Sequence, residues 1–143
     1  MKISNEGIEL IKRWEQFRAK PYHCAAGVLT IGYGHTRTAQ EYRQPITERG
    51  AEQLLRSDIK LFEIQLKPIL PELEQCQYDA IVSLVFNIGI GNFKKSQLSR
   101  RIENNPKDKK IADEWIEFRN GGGKYLRGLM CRRFDELKLY YSW

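Results

Sequence analysis

The chain has no apolar run near the roughly 18 residues that a membrane span requires. Its start, MKISNEGIELIKRWEQ, is too charged and too amphipathic for an export signal, so the product is expected to begin in the cytoplasm. Cysteine and histidine are scarce. The three cysteines, Cys24, Cys76 and Cys131, are an odd number, none lies in a CxxC spacing, and His23 and His35 are the only histidines. A structural zinc site is therefore not expected, and all three thiols are expected to stay reduced. There is also no internal repeat, linker or low-complexity stretch to suggest disorder.

What is present suits one ordinary domain: 143 residues, 41% hydrophobic and 11% aromatic, enough to bury a core. A net charge of +6 favours an anionic partner, which could be nucleic acid, a membrane surface or an acidic wall polymer. Lysines and arginines are scattered and no nucleic-acid motif appears, which points to the wall polymer.

Ser4 or Asn5 can cap a first helix through Ile8, Ile11 and Trp14, with Pro21 limiting its run. From Tyr22 to Thr36 short β-prone pieces broken by Gly27, Gly32 and Gly34 predict a hairpin or a three-stranded sheet. Thr47 precedes a helix of about twenty residues ended by Pro68. Beyond Pro71, Ala80 to Ile88 reads as a buried central helix stopped by Gly89 and Gly91, followed by a shorter piece from Ser96 to Asn104. Two last helices, about Lys107 to Phe118 and Leu126 to Tyr140, are separated by NGGGK. The order predicts an α+β fold, mostly helical, with strands confined to the N-terminal third. It divides into a helix and sheet lobe (about 1–46), a linking helix (about 47–67) and a helical lobe (about 68–143), with a cleft between lobes.

The chemistry-bearing residues cluster early. Glu15 closes the first helix beside Trp14, and both the apolar neighbour and the negative end of the helix suit a protonated carboxyl, the form a general acid needs. Cys24 follows nine positions later and Thr30 six beyond that. Each alone reads as an ordinary surface, core or strand residue. His35, after two glycines, reads as structural.

Together, Glu15, Cys24 and Thr30 resemble the E-x8-D/C-x5-T signature of phage-type lysozymes, the endolysins of glycoside hydrolase family 24. The blocks LTIGYGHT, FNIGIGNFKKSQL and GLMCRRFDEL match in the family's order across nearly the whole chain. The resemblance implies a two-lobed lysozyme-like fold and cleavage of the β-1,4 bond between N-acetylmuramic acid and N-acetylglucosamine. It makes Glu15 the general acid, with Cys24 and Thr30 handling water on the opposite face in an inverting hydrolysis. Cys24 departs from the commoner aspartate: it could orient water, act as thiolate or become a covalent nucleophile.

Further residues carry over by position. Thr36, Phe86, Ser96 and Trp115 would line the saccharide cleft, with Asn87 a further candidate, although Phe86 and Trp115 could equally be core. His35 and Asp58 would pair to tie the sheet to the long helix, and either Arg132 or Arg133 would hold Glu15. The resemblance implies no cofactor or metal, bacterial peptidoglycan as partner, no nucleic acid, no stable membrane association, and a monomer. It also implies a wait in the host cytoplasm until a holin-type pore gives access to the wall. A module that grips wall glycan without cutting it would lack the acid, and Glu15 is present.

Overall fold

The computed structural model describes residues 1–143. Helix α1, Asn5–Glu15, starts where the Ser4 hydroxyl accepts the Gly7 N–H, and it ends at Gln16, whose φ of 60° is left-handed. That residue, rather than Pro21, turns the chain at once into β1, Arg18–His23. A non-glycine residue held there costs on the order of 1 kcal/mol and lasts only where surroundings enforce it.

Pro21 thus sits inside a strand, in which it has no N–H to give. β1 pairs antiparallel with β2, Leu29–Gly32, and the register slips between Arg18 and Tyr22, the stretch that holds the proline. The sheet has two strands, extended by one bridge in which Ile31 and His35 exchange backbone hydrogen bonds of 2.8 and 2.9 Å. It is a hairpin, not three strands.

Thr47 caps α2, Glu48–Leu66, by accepting the Gly50 N–H at 3.0 Å. α3, Gln75–Ile88, is buried at every residue from Gln77 to Val85, as its nearly all-round apolar sequence requires. Gly89, at φ 87°, ends it, and the chain resumes directly as a short α4, Ile90–Lys95. Ser96 then caps α5, Gln97–Asn104, through the Ser99 N–H.

Two expectations for the last third are revised. The helix expected over 107–118 is only α6, Ile111–Trp115, because the Asn105 and Asp108 carboxamide and carboxylate oxygens take the Lys107 and Lys110 N–H groups. Those local bonds compete with a helical turn. The NGGGK spacer is itself a second small hairpin, β3 (Asn120–Gly121) with β4 (Lys124–Tyr125), turned by Gly122 and Gly123 at positive φ. Strands are therefore not confined to the N-terminal third. α7, Arg127–Tyr140, closes the fold.

One apolar cluster joins α1, α2, α3, α5, α6 and α7, with Ile11, Leu55, Ile81, Leu84, Ile102 and Trp115 fully buried. Each such aliphatic side chain contributes about 1.5–3 kcal/mol relative to exposure. α1, grouped with the sheet in the sequence, packs against α3 and α7. The β1–β2 hairpin rests on α2 through β2, so the chain from Glu15 to Thr36 leaves the helical body, folds over α2 and returns.

Candidate active site

Glu15 stands at the last position of α1, where the helix meets the hairpin. Its Oε1 accepts Arg132 Nη1 at 2.8 Å, and its side chain keeps 20% of its surface open. The choice between the two arginines is thereby settled: Arg132 reaches Glu15, whereas Arg133 is wholly buried, with Nη1 on the Phe118 carbonyl. The setting differs from the apolar one suggested by Trp14. The Trp14 indole turns away to donate to Asp135 at 2.9 Å, and a guanidinium, not a ring, meets the acid.

The second carboxyl oxygen, Oε2, has no protein donor and lies over Gly34. Gly34 has φ of 75°, and a β-carbon there would come within 2.8 Å of Oε2. Glycine is needed at this point for both reasons. Its place in the turn between Ile31 and His35 was legible, but its contact with the acid was not.

Cys24 ends the loop side of β1, half-buried and free. Its backbone N–H donates to Val28 O and its carbonyl accepts the Gly27 N–H, which closes the turn to β2. Thr30, buried in β2, donates its hydroxyl to Val28 O at 2.9 Å. Backbone hydrogen bonds, at Val28 first and then at Ala26, lower the Cys24 thiol from its ordinary value; burial opposes them and a hydrogen bond with Thr30 adds to them. The structure thus brings Cys24 and Thr30 within hydrogen-bonding reach of each other.

The end of α3 separates two concavities. One, about 410 Å³, is bordered by Gly34, Thr36 and Asp58 with Phe62, Gln65 and Phe86. The other, about 890 Å³, runs from Ala26 of the Cys24 turn past Asn87, Ser96 and Phe118 to Asn120. Thr36 and Phe86 border the first and Asn87 and Ser96 the second. Phe86 is also half-buried against the Phe62 ring, so it belongs to wall and core at once.

Trp115 is different. It is fully buried, and its indole donates to Glu136 at 2.9 Å, so it stands behind the wall instead of lining it. The core alternative holds for this residue. Asn120 and Phe118 border the larger concavity without having been singled out, because a short strand and a loop in a glycine-rich stretch carry no periodicity to betray them.

His35 and Asp58 do pair, with Nδ1 and Oδ2 at 2.7 Å. The Thr38 N–H points to Nε2, which makes Nε2 the acceptor and Nδ1 the donor to Asp58. Arg37 adds two hydrogen bonds to the other oxygen of Asp58. These contacts tie the hairpin to α2. No group of His, Cys, Asp and Glu side chains is arranged to hold a metal ion.

A phage lysozyme family model matches residues 12–136. The chain is 42% identical to an endolysin of Acyrthosiphon pisum secondary endosymbiont phage 1, covering 99% of both chains. It is 38% identical to an endolysin of Bacillus phage B103 over 99% of its own length but 55% of the relative's, so it spans about half of that protein. A solved P22 lysozyme mutant superposes with a TM-score of 0.84 at 34% identity, covering 99% of each chain.

Proposed function

The chain belongs to the phage lysozyme family, and from that premise we propose that it is a muramidase that opens bacterial peptidoglycan during release of a phage or prophage from its host. The observation that carries this reading is the division of labour in one carboxyl group. Glu15 Oε1 is fixed by Arg132 while Oε2 is left free above Gly34. A general acid needs both: a fixed orientation and an oxygen open to the substrate.

In its acid form, Glu15 delivers a proton from Oε2 to the glycosidic oxygen as the C1–O bond lengthens and positive charge builds on the muramic acid ring. Cys24 and Thr30 hold the water that attacks C1 from the other face, giving inversion. A lowered thiol is supported for this role, since partial thiolate character at Cys24 opposes the growing positive charge as a carboxylate would. Thr36, Phe86, Asn87 and Ser96 border the path of the glycan. The enzyme acts as a monomer and reaches the wall through a holin-type pore. No helix is long and apolar enough to cross a membrane.

The test is the identity of the new chain end. Purified peptidoglycan digested by the protein and then reduced with borohydride should yield muramitol. Glucosaminitol would make it a glucosaminidase, and an anhydro ring with no reducible end would make it a lytic transglycosylase.

A further inference from the structure

Behind Arg132 lies a carboxylate that the chemistry above does not use. Glu136 is wholly buried, yet it is crowded with donors. Its Oε1 accepts Ser83 Oγ at 2.8 Å, Arg133 Nη2 at 2.9 Å and Arg132 Nε at 3.3 Å. Its Oε2 accepts the Trp115 indole at 2.9 Å and lies 2.8 Å from Arg133 Nε. Three elements, α3, α6 and α7, therefore converge on one acid. Arg132 is gripped on both sides, with Nε on Glu136, Nη2 on the Ser83 carbonyl and Nη1 on Glu15.

We propose that Glu136 is a positioning residue that sets how strongly Arg132 holds Glu15, and so the pH range in which the enzyme works. It rests on the reading of Glu15 as the acid. Two guanidinium groups and two carboxylates share this site. With Glu136 ionised, one of the two positive charges is balanced from behind, and Glu15 faces a net single positive charge. Without Glu136, Glu15 faces both.

Charges buried together act strongly on each other, because little water is present to screen them. Glu136 also acts geometrically. The i,i+4 contact along α7 fixes the Arg132 rotamer before it reaches across to α1. Burial lowers Arg133 from its ordinary value while the charge of Glu136 opposes this, so the second arginine depends on the same acid.

Other groups nearby are occupied elsewhere. Against Glu15 the chain after β2 presents Gly34, and Phe86 of α3 lies beside that glycine. Asp135 of α7 is taken by Trp14 and by Arg13 at 3.4 Å. Asp79 of α3 is taken by Ser4 and Gln75. Toward Glu136, α3 offers the hydroxyl of Ser83 and α6 the indole of Trp115, neither of which titrates near neutrality. On the hairpin side Cys24 titrates, and so do Tyr33 and His35 on either side of Gly34; the His35 ring is taken by Asp58 and Thr38, and the Tyr33 ring carries Lys12 on its face.

The test compares wild type with Glu136→Gln and Ser83→Ala by two readouts: the pH profile of kcat/KM, and the titration midpoint of the Glu15 carboxyl carbon by NMR. Glu136→Gln leaves Glu15 opposite two cations, so it stays ionised to lower pH. The alkaline limb and the midpoint should both move down by about one pH unit, with activity kept on the acid side. Ser83→Ala removes one donor from Glu136, which then draws harder on Arg132, so both readouts should move up by a few tenths of a unit.

A uniform loss of activity with the limb and midpoint unmoved would reduce Glu136 to a structural residue and overturn the proposal. Should Glu136→Gln fail to fold, Ser83→Ala decides alone, and an unmoved midpoint there overturns it too. The underlying reading fails separately. If Glu15→Gln stays active while the midpoint moves in the other variants, Glu15 is not the acid although Glu136 still governs its charge.

Discussion

Gly34 lies against Glu15 so closely that a β-carbon on the glycine would stand 2.8 Å from the free carboxyl oxygen. The hairpin therefore does more than carry Cys24 and Thr30; its return turn forms the floor beneath the acid. Gly34→Ala should displace that carboxyl and lower turnover about 100-fold, with about 1–2 kcal/mol of stability lost to the left-handed backbone. Gly123→Ala separates the two effects, since its φ of 77° is similar but nothing lies within 4 Å. Denaturant melts should show a comparable loss for both variants, and wall hydrolysis should fall only in the first.

Cys24 should be the most reactive thiol at neutral pH. Its hydrogen bonds favour the thiolate, so the reactive form persists to lower pH than in an ordinary cysteine and is lost only as pH falls through that lowered value. Cys131 is exposed and serves as a control for accessibility. Iodoacetamide labelling followed by mass spectrometry across pH 6–9 should place the Cys24 midpoint below the ordinary value for a cysteine thiol, with hydrolysis falling as Cys24 is labelled. Cys24→Asp should keep or raise activity and remove the inhibition.

Asp58→Asn should cost about 2 kcal/mol, because it replaces the charged acceptor of the buried His35 imidazole and of Arg37 by a neutral amide. The loss should appear as faster hydrogen exchange in the hairpin before exchange in α3, since these contacts tie the sheet to α2. Equal loosening everywhere would mean that the pair supports the core and not the hairpin.

Much of this arrangement could be read from residue order. Ser4, Thr47 and Gly89 marked helix ends through local chemistry, and the spacing of Glu15, Cys24 and Thr30 pointed to the residues proposed for the site. The failures share a cause. Local bonds at Asn105 and Asp108 shorten α6, and a buried Trp115 carries its indole to Glu136. Each depends on a tertiary neighbour or a side chain to backbone bond that periodicity does not encode. Glu136 had one visible signal, the Arg132, Arg133 and Glu136 run on an otherwise apolar helix face, where charges require partners.

One stretch of the helical lobe carries a local excess of positive charge. Between Lys94 and Lys110 seven basic residues stand against two acidic ones, and six of the basic ones are exposed without an ion-pair partner. Reversing Lys94, Lys107 and Lys110 to Glu should weaken retention on wall sacculi at low salt. Above about 0.5 M salt, where the screening length shortens to a few ångströms, reversed and native proteins should bind alike. A sedimentation assay checks both conditions.

The most direct measurement is reducing-end release from purified peptidoglycan by wild type and Glu15→Gln, with the anomer recorded by NMR as it forms. The account predicts release by the wild type with inverted configuration, and a fall of at least about 1,000-fold in the variant while its melting temperature and sacculus binding persist. Equal release by both proteins would contradict Glu15 as the proton donor, and a retained anomer would make Cys24 the attacking group in place of water.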